Sequence, residues 1–258
     1  METTFYKIRA ITNLHVGAGD AGFGVIDNLV QRDVVTGLPV IHGSSLKGAL
    51  REFFENNWGK EDKRITGIFG NNDNSAGFRF LQASLLALPV RSNKKPYFLG
   101  TSPEVMKHLG SAMKDHQVAG FDLEPLMQIK PGKGKPVVFI DPGEPVVEEF
   151  DELQKGSVSL TESRLLGMTE NLAVFEDEDF KDLCSDTGLP VIARNKVGEN
   201  KNLWYEQVVP RESLFWFAVM HNNEHFGDFN DLLTGEKSIV HIGANATVGY
   251  GFTKISKI

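Results

Sequence analysis

The chain has 258 residues, of which 41% are hydrophobic and 24% charged, a composition ordinary for a globular protein of one large domain or two small ones. No run of about 18 apolar residues predicts a membrane span, the first ten residues lack the apolar core of a secretory signal, and a lone cysteine, Cys184, excludes an internal disulfide. A reducing cytoplasm is therefore the simplest expected location, and no membrane partner is expected.

The net charge of −7 taken alone argues against a nucleic-acid-binding protein, but the charges are segregated. Acidic residues are concentrated at 144–152 and 175–186. Basic residues gather at Lys47 and Arg51, near 91–95, and at 130–135. This pattern permits a local basic groove on an acidic protein, although solvated faces of both signs explain most such clusters.

The predicted elements run from a first strand in 4–17 to a short extended segment in 37–45, which leads into the clearest helix of the sequence. Ser44 or Ser45 is the expected N-cap, and Gly59 is the expected stop. The residues that recur at helical spacing and make one apolar face are Leu46, Ala49, Leu50, Phe53 and Phe54.

Beyond that helix, 77–90 predicts one or two buried strands. The segment 90–160 predicts a long, partly mobile insertion with loops, since its periodicity is weak and Gly, Pro and Lys are frequent there. The segments 191–195 and 203–209 flank a polar tip and predict a β-hairpin. A buried strand is predicted in 211–221 and a final strand after the glycines of 241–251. Strands with one or two helices and irregular insertions indicate an α+β domain.

The start of the predicted helix is a candidate phosphate site. The first N–H groups of a helix lack partners and carry partial positive charge, so anions bind there. Lys47 and Arg51 lie one turn apart on one face, at the end where cations are otherwise unfavourable. Two side chains that simply point into solvent explain the pattern equally well. The order of residues does not match a P-loop.

Two glycine-rich stretches need explanation. Gly243, Gly249 and Gly251 near the C-terminus allow close approach of the backbone to a ligand, but a plain loop would look the same. Residues 15–33 contain the other stretch, a pliable loop followed by Asp27. This carboxylate could position a metal ion, orient a nucleophile or form a salt bridge with Arg32.

For residues 15–33, the local sequence does not decide among these alternatives. His15 could be an acid, a base or a core histidine. Neither Cys-x-x-Cys nor Asp-x-Asp-x-Asp spacing occurs in the sequence, so a fixed metal cage is poorly supported. A Gly-x-Ser-x-Gly motif is absent, and Cys184 lies in an acidic segment that disfavours its thiolate, so a nucleophilic side chain is unsupported.

Three separated pieces together resemble the RAMP superfamily of CRISPR proteins. They are residues 14–51, with Gly-Ser-Ser-Leu-Lys-Gly and an Asp before Gln-Arg; the stretch 203–217; and the glycine-rich 241–252. Within the superfamily, they are most similar to the repeated backbone subunits of the Cmr complex, a type III-B effector. The resemblance covers both ends and the hairpin region, whereas 90–160 carries little of it.

The resemblance implies a single RAMP domain over 1–258, with a modified ferredoxin-like (RRM-like) palm, a β-hairpin thumb near 190–210 and an insertion near 90–160. It also implies partners: CRISPR RNA, single-stranded target RNA, further copies of the chain in a filament, and other Cmr-type subunits. Thumbs would kink the guide–target duplex every six nucleotides, and target RNA would be cleaved there with a divalent metal ion, Mg²⁺ or Mn²⁺.

The resemblance also implies residue roles. Asp27 matches the catalytic aspartate, which is also the expected metal ligand. His15 and Glu206 match positions associated with the same cleavage site. Guide contacts are implied for Ser44, Ser45 and Lys47.

Arg51, Gly243, Gly249 and Gly251 complete the expected RNA-binding set, from their place on the helix face and in the glycine-rich tail. Backbone contacts of this kind do not read sequence, as base pairing to a guide requires. We hypothesise that the kink aligns a 2′-oxygen with the adjacent phosphate and that Asp27 takes a proton or holds the metal. The alternatives are a non-cleaving guide-binding backbone subunit and a stand-alone nuclease that processes precursor CRISPR RNA.

Overall fold

The structure, a computed structural model, describes residues 1–19, 24–118, 123–139, 146–156, 168, 171–195 and 202–258. Gly22 of the predicted glycine loop and most of the predicted hairpin tip lie outside these residues. The chain divides into two compact units: the first combines 1–84 with 189–258, and the second is 85–188. The predicted bounds of the insertion and the thumb stay predictions.

The first unit is built on an antiparallel sheet that joins the two ends of the chain. The strand order is β12-β13-β1-β11, and β3 adds to β11. The strands and helices of this unit are β1 (Glu2–Ala10), β2 (Val40–Ile41), α1 (Gly43–Trp58), α2 (Lys63–Phe69), β3 (Arg79–Phe80), β9 (Val191–Asn195), β10 (Leu203–Gln207), β11 (Leu214–His221), α6 (Phe226–Thr234), β12 (Val240–His241) and β13 (Phe252–Lys257). The antiparallel sheet with its helices is the α+β architecture expected from the sequence.

The core of this unit is aromatic. Tyr6 on β1 stacks on Phe217 of β11 at a centroid distance of 5.2 Å and meets the edge of Phe229 from α6. Phe54 of α1 stacks on Phe229 at 4.8 Å. Such pairs contribute beyond the area they bury, so this cluster fixes α1 and α6 over the sheet. Phe53, placed on the same apolar face by the sequence pattern, is only half-buried.

Helix α1 starts two or three residues earlier than the sequence suggests. His42 is the N-cap and makes no side-chain capping bond, so the prediction of Ser44 or Ser45 as N-cap is wrong. Gly43 occupies the first helical position because a Cβ there would lie 2.8 Å from the Phe80 carbonyl oxygen. The stop at Gly59 is confirmed, since its φ of +96° is a conformation that favours glycine.

In the second unit the strands pair in the order β4-β5-β8-β6-β7. Its elements are β4 (Ala83–Arg91, whose first two residues belong to the first unit), β5 (Tyr97–Thr101), α3 (Pro103–Asp115), α4 (Glu124–Met127), β6 (Val137–Val138), β7 (Gln154–Lys155), β8 (Leu172–Val174) and α5 (Asp177–Leu183). The described part of 90–160, where the sequence predicted an insertion with loops, thus contains short strands and helices between its irregular segments. Among the described residues, no helix is long and apolar enough to cross a membrane.

The predicted hairpin is confirmed as β9 and β10. The two strands are antiparallel, with Trp204 opposite Arg194 and Glu206 opposite Ile192. They form a two-stranded sheet of their own. Isolated two-stranded sheets are marginally stable, so this hairpin depends on contacts at its base.

Candidate functional site

Asp27 is held at the base of the hairpin by main-chain hydrogen bonds. The N–H groups of Asp27 and Asn28 both donate to the Tyr205 carbonyl at 3.1 Å, and the Tyr205 N–H donates to the Asp27 carboxylate at 2.7 Å. The Gln207 N–H donates to the Asn28 carbonyl at 2.9 Å. The segment thus pairs with β10, and its carboxylate stays exposed to solvent.

Glu206, one residue further along β10, is buried in a polar network. Its Oε2 accepts from Arg194 Nε at 2.5 Å and from Asn245 Nδ2 at 2.9 Å. The Arg194 guanidinium lies over the Tyr250 ring, 4.6 Å from the centroid. The network therefore ties both hairpin strands to the glycine-rich segment before β13.

His15 belongs to the same network. Its Nε2 lies 3.6 Å from Glu206 Oε1, and its Nδ1 donates to the Gln207 carbonyl at 2.6 Å, since a carbonyl only accepts. His15 and Glu206 are 4% and 5% exposed. The structure thus brings together the three predicted catalytic residues, with Asp27 at the surface and the other two enclosed.

The sequence suggested a salt bridge between Arg32 and Asp27, but the structure gives Arg32 other partners. It donates to the Gly37 carbonyl at 2.8 Å and to Gln207 Oε1 at 3.4 Å. Gln207 is fully buried and also accepts from the Val30 N–H. These bonds fasten the segment after Asp27 to the end of β10.

Gln31, to which sequence reasoning assigned no role, links this segment to helix α1. Its amide nitrogen donates to the Gly17 carbonyl at 3.1 Å and to Ser45 Oγ at 3.0 Å, and its amide oxygen accepts from the His42 N–H at 2.7 Å. One side chain therefore sets the distance between the glycine loop and the start of α1. Its place in the chain, between Val30 and Arg32, gave no signal of this role.

The start of α1 offers an unpaired cation beside free N–H groups. The first turn carries no acidic residue and no side-chain cap. Lys47 is half-buried, and no hydrogen bond or ion pair joins it to another described residue. Arg51 instead binds Glu55 at 2.7 Å and the Gly70 carbonyl at 3.0 Å. Lys47 is thus available to an anion, whereas Arg51 is engaged in the fold.

A groove of about 330 Å³ is bordered by two of the predicted RNA-binding residues, Ser45 and Gly243. Its lining includes Gly17, Gln31 and Ser45 on one side and Gly243 with Ala244 on the other. The first glycine loop, the start of α1 and the glycine-rich tail therefore border one concave surface. Sequence positions more than two hundred residues apart meet there.

The three glycines of the tail differ in their surroundings. A Cβ on Gly243 would lie 2.3 Å from the His15 carbonyl oxygen. Gly251 is buried, and a Cβ on it would lie 2.5 Å from the Ile242 carbonyl oxygen. Gly249 is exposed, with nothing within 4 Å of its Cβ position. All three have positive φ. Close packing explains Gly243 and Gly251, and RNA contact at the three positions stays a prediction.

The residues described do not build a metal cage. Among them, no group of three His, Cys, Asp or Glu side chains is placed to hold a metal ion. Glu206 follows Tyr205, the partner of Asp27. Its carboxylate already accepts hydrogen bonds from Arg194 and Asn245. Of the three predicted catalytic side chains, all within the described residues, Asp27 is the exposed one.

Comparison with known proteins identifies the class of this fold. The chain belongs to the RAMP superfamily, whose pattern matches residues 7–254. It is 27% identical to the CRISPR system Cmr endoribonuclease Cmr4 of Pyrococcus furiosus, over 99% of this chain and 96% of that protein.

Solved structures show the same fold. A chain of the type III-B Cmr-beta complex in its apo state superposes with a TM-score of 0.84 at 22% identity, over 100% of this chain and 97% of that one. A crystal structure of oligomeric Cmr4 from Pyrococcus furiosus gives 0.75 at 23% identity, over 100% and 99%. These likenesses confirm the expected α+β, ferredoxin-like RAMP fold.

Proposed function

We propose that this chain is a CRISPR RNA-binding backbone subunit of a type III effector complex that cleaves guide-paired target RNA at six-nucleotide intervals. The membership in the RAMP superfamily and the full-length similarity to a protein named a Cmr endoribonuclease support this function. The observation that carries it is Asp27, an exposed carboxylate held at the hairpin base by two hydrogen bonds with Tyr205, next to a third from Asn28. Its partners would be CRISPR RNA, target RNA, further copies of the chain and other Cmr-type subunits.

RNA would be held by its backbone. The unpaired N–H groups at the start of α1 and the free Lys47 ammonium form a site for a phosphate group. Ser45 borders the adjacent groove together with the exposed Gly243. Such contacts carry no base information, as suits a subunit whose sequence specificity comes from guide pairing.

Cleavage would use the RNA's own 2′-hydroxyl. Asp27 takes the proton of this hydroxyl, and its oxygen attacks the adjacent phosphorus. The bond from phosphorus to the 5′-oxygen breaks, and the leaving oxygen takes a proton from water. The products are a 2′,3′-cyclic phosphate and a 5′-hydroxyl. Alignment of the attacking oxygen supplies much of the rate, because well-positioned intramolecular reactions gain roughly 7–11 kcal/mol.

His15 and Glu206 would act as positioning residues, since both are enclosed while Asp27 is exposed. Dependence on Mg²⁺ or Mn²⁺ is part of the proposal for the assembled complex, where Asp27 would be one ligand and RNA phosphates the others. Cleavage assays in Mg²⁺, in Mn²⁺ and in excess chelator test this dependence.

The test of the function is Asp27→Ala in complexes assembled on guide RNA. We expect cleavage to fall at least 10³-fold while target binding stays within about threefold, because the loss removes a group needed only in the transition state. Asp73→Ala, which removes an exposed carboxylate from another loop, is the control and should cut normally. Unchanged cleavage with unchanged binding in the Asp27 variant would remove Asp27 from the mechanism and leave a non-cleaving backbone subunit.

A second test concerns the guide contact. Lys47→Ala should weaken guide binding and reduce the slope of log affinity against log salt by about one unit, since one phosphate contact is lost. Lys107→Ala, an exposed lysine on α3, is the matched control. An unaltered salt slope in the Lys47 variant would exclude a phosphate contact at this position.

A further inference from the structure

His221, the last residue of β11, packs against two phenylalanine rings. It is 0% exposed, and its imidazole stacks on Phe226 at a centroid distance of 3.6 Å, with the two planes 5° apart. The Phe78 ring lies 5.7 Å away in a tilted arrangement. Water therefore does not reach this imidazole in the folded chain.

The surroundings of the two ring nitrogens indicate which one carries the proton. Nε2 lies 3.1 Å from the Oγ1 of buried Thr4. Nδ1 is enclosed and has no hydrogen-bond partner of good geometry among the described residues. A neutral ring that is protonated at Nε2 therefore leaves no N–H group without an acceptor. A second proton, at Nδ1, would add an N–H group without an acceptor and a positive charge to this enclosed space, which is costly.

The groups nearest to His221 do not offset this cost. Burial has the largest effect and lowers the pKa of His221 below its ordinary value. The Glu2 carboxylate and the Asn223 amide raise the pKa by less, while Lys257 and the N-terminal amine lower it further. The ring is therefore neutral in the native state near neutral pH.

The charged side chains of the adjoining elements are engaged elsewhere or lie in solvent. In the turn after β11, Glu224 Oε1 lies 3.7 Å from His225 Nε2. In the first turn of α6, Asp228 accepts from Arg64 at 3.1 Å. Arg79, the first residue of β3, is exposed. An imidazolium at this position would thus depend on Glu2 for a counter-charge.

The turn that joins β11 to α6, residues 222–225, has a strained backbone. Asn223 and His225 have φ values of +68° and +62°, a left-handed conformation that costs free energy in residues with a Cβ. Such a turn persists only where contacts hold it. The Asn223 amide donates to Glu2 at 2.8 Å, and the Phe226 ring, directly after the turn, stacks on His221. The stack on His221 is therefore one of the two contacts that hold the turn.

We propose that His221 is a pH-sensitive switch: when its Nδ1 takes a proton at acid pH, the charged ring leaves its enclosed position and releases the 222–225 turn together with the first turn of α6. Phe229, at the end of that helical turn, stacks on Phe54 of α1 at 4.8 Å, so the release also loosens the packing of α1. The switch needs neither RNA nor a partner chain, and it is therefore independent of the proposed function.

The direction of the pH effect follows from the difference between the native and the released histidine. A released histidine takes its proton at about pH 6.5, whereas burial lowers the pKa of the native ring. The stability that the neutral ring contributes is therefore complete above about pH 6.5 and is lost as the pH falls below this value. The release should accordingly occur on the acid side of about pH 6.5.

Hydrogen exchange measured by mass spectrometry tests the switch on the full-length chain without RNA. Wild type is compared with His221→Phe at about pH 7.5 and at about pH 5, so that the intrinsic pH dependence of exchange cancels at each pH. Phenylalanine keeps the ring stack but cannot take a proton. The matched control is His108→Gln, which removes an exposed histidine from α3.

We expect the ratio of wild-type to His221→Phe protection over 222–234 to fall about tenfold between the two pH values, because uptake of one proton changes an equilibrium by up to about tenfold per pH unit. The same ratio taken against His108→Gln should stay constant. An unchanged ratio in the His221 comparison would overturn the proposal.

The wild-type chain provides a second measurement, which stands even where His221→Phe does not fold. The protonation state of the His221 ring is followed by NMR while the pH is lowered. We expect the ring to stay neutral until the 222–234 amides lose their protection. A ring that becomes charged while these amides stay protected would overturn the proposal.

Discussion

Asp27 and Glu206 are both carboxylates at the base of one hairpin, and their surroundings give them different roles. Asp27 is exposed, and among the described residues its carboxylate accepts a hydrogen bond only from the Tyr205 N–H. Glu206 is enclosed and satisfied by Arg194, Asn245 and the nearby His15. A group that must touch RNA has to reach the surface, whereas a buried, fully bonded acid stabilises geometry.

The Arg194–Glu206 pair should therefore matter for stability. Glu206→Ala leaves Arg194 without its main partner, and Arg194 Nη2 is already buried with no hydrogen bond to described residues. We expect a loss of about 3–5 kcal/mol in the free energy of unfolding, measured by urea denaturation. The paired change Arg194→Met with Glu206→Leu should cost less than the sum of the single changes.

The exposed pair Arg9–Glu212 is the comparison for this measurement. The Arg9 side chain is 45% exposed, so Arg9→Ala should cost about 1 kcal/mol or less. If Glu206→Ala costs no more than Arg9→Ala, the network does not hold the hairpin.

The sequence alone could not predict which residues meet at the site or which of them are exposed. His15 and Glu206 lie 191 positions apart, and a lone histidine and a lone glutamate have no local pattern that joins them. Resemblance to a family grouped them with Asp27, but it could not tell which of the three is exposed. Arg194, Asn245 and Gln31 were missed because hydrogen-bond partners across a fold leave no spacing in the chain.

At the scale of elements, helix α1 offers a matched pair of glycines. Gly43→Ala would place a Cβ 2.8 Å from the Phe80 carbonyl, so α1 and β3 must separate, at a cost of about 1–3 kcal/mol. Gly48 has nothing within 4 Å of its Cβ position, so Gly48→Ala should raise stability by about 0.5–1 kcal/mol. Thermal unfolding of the two variants measures both effects. Equal effects in the two would show that close approach does not explain Gly43.

Elements with strong periodicity were predictable, and those hidden by unusual composition were not. In α1 the spacing of Leu46, Leu50 and Phe54 gives the buried face directly. Helix α3 was missed although Val105, Met106, Leu109 and Met113 also have helical spacing, because nearby Gly, Pro and Lys suggested loops.

The acidic run at 175–186 hid another helix. In α5 the Glu176 carboxylate accepts from the N–H groups of Glu178 and Asp179, and acidic residues fill the first turn. Negative charge there is favourable to the helix dipole, so what looked like a solvated charge cluster is a helix start.

At the scale of the whole chain, the first unit is assembled from both ends. Strand β1 pairs with β11 on one side and β13 on the other, so the sheet closes only when the C-terminal segment is present. The site shares this dependence, since His15 and Asp27 come from the first segment and Glu206 and Asn245 from the last. Local sequence patterns cannot predict such non-local pairing, and only the family resemblance implied it.

The most direct measurement is the map of target cuts made by the complex purified with its partners and guide RNA, at single-nucleotide resolution. We expect several cuts spaced by six nucleotides within the guide-paired region, each leaving a 5′-hydroxyl, and we expect all of them to disappear in the Asp27→Ala complex. A single cut, irregular spacing, or an unchanged set of cuts without the Asp27 carboxylate would contradict it.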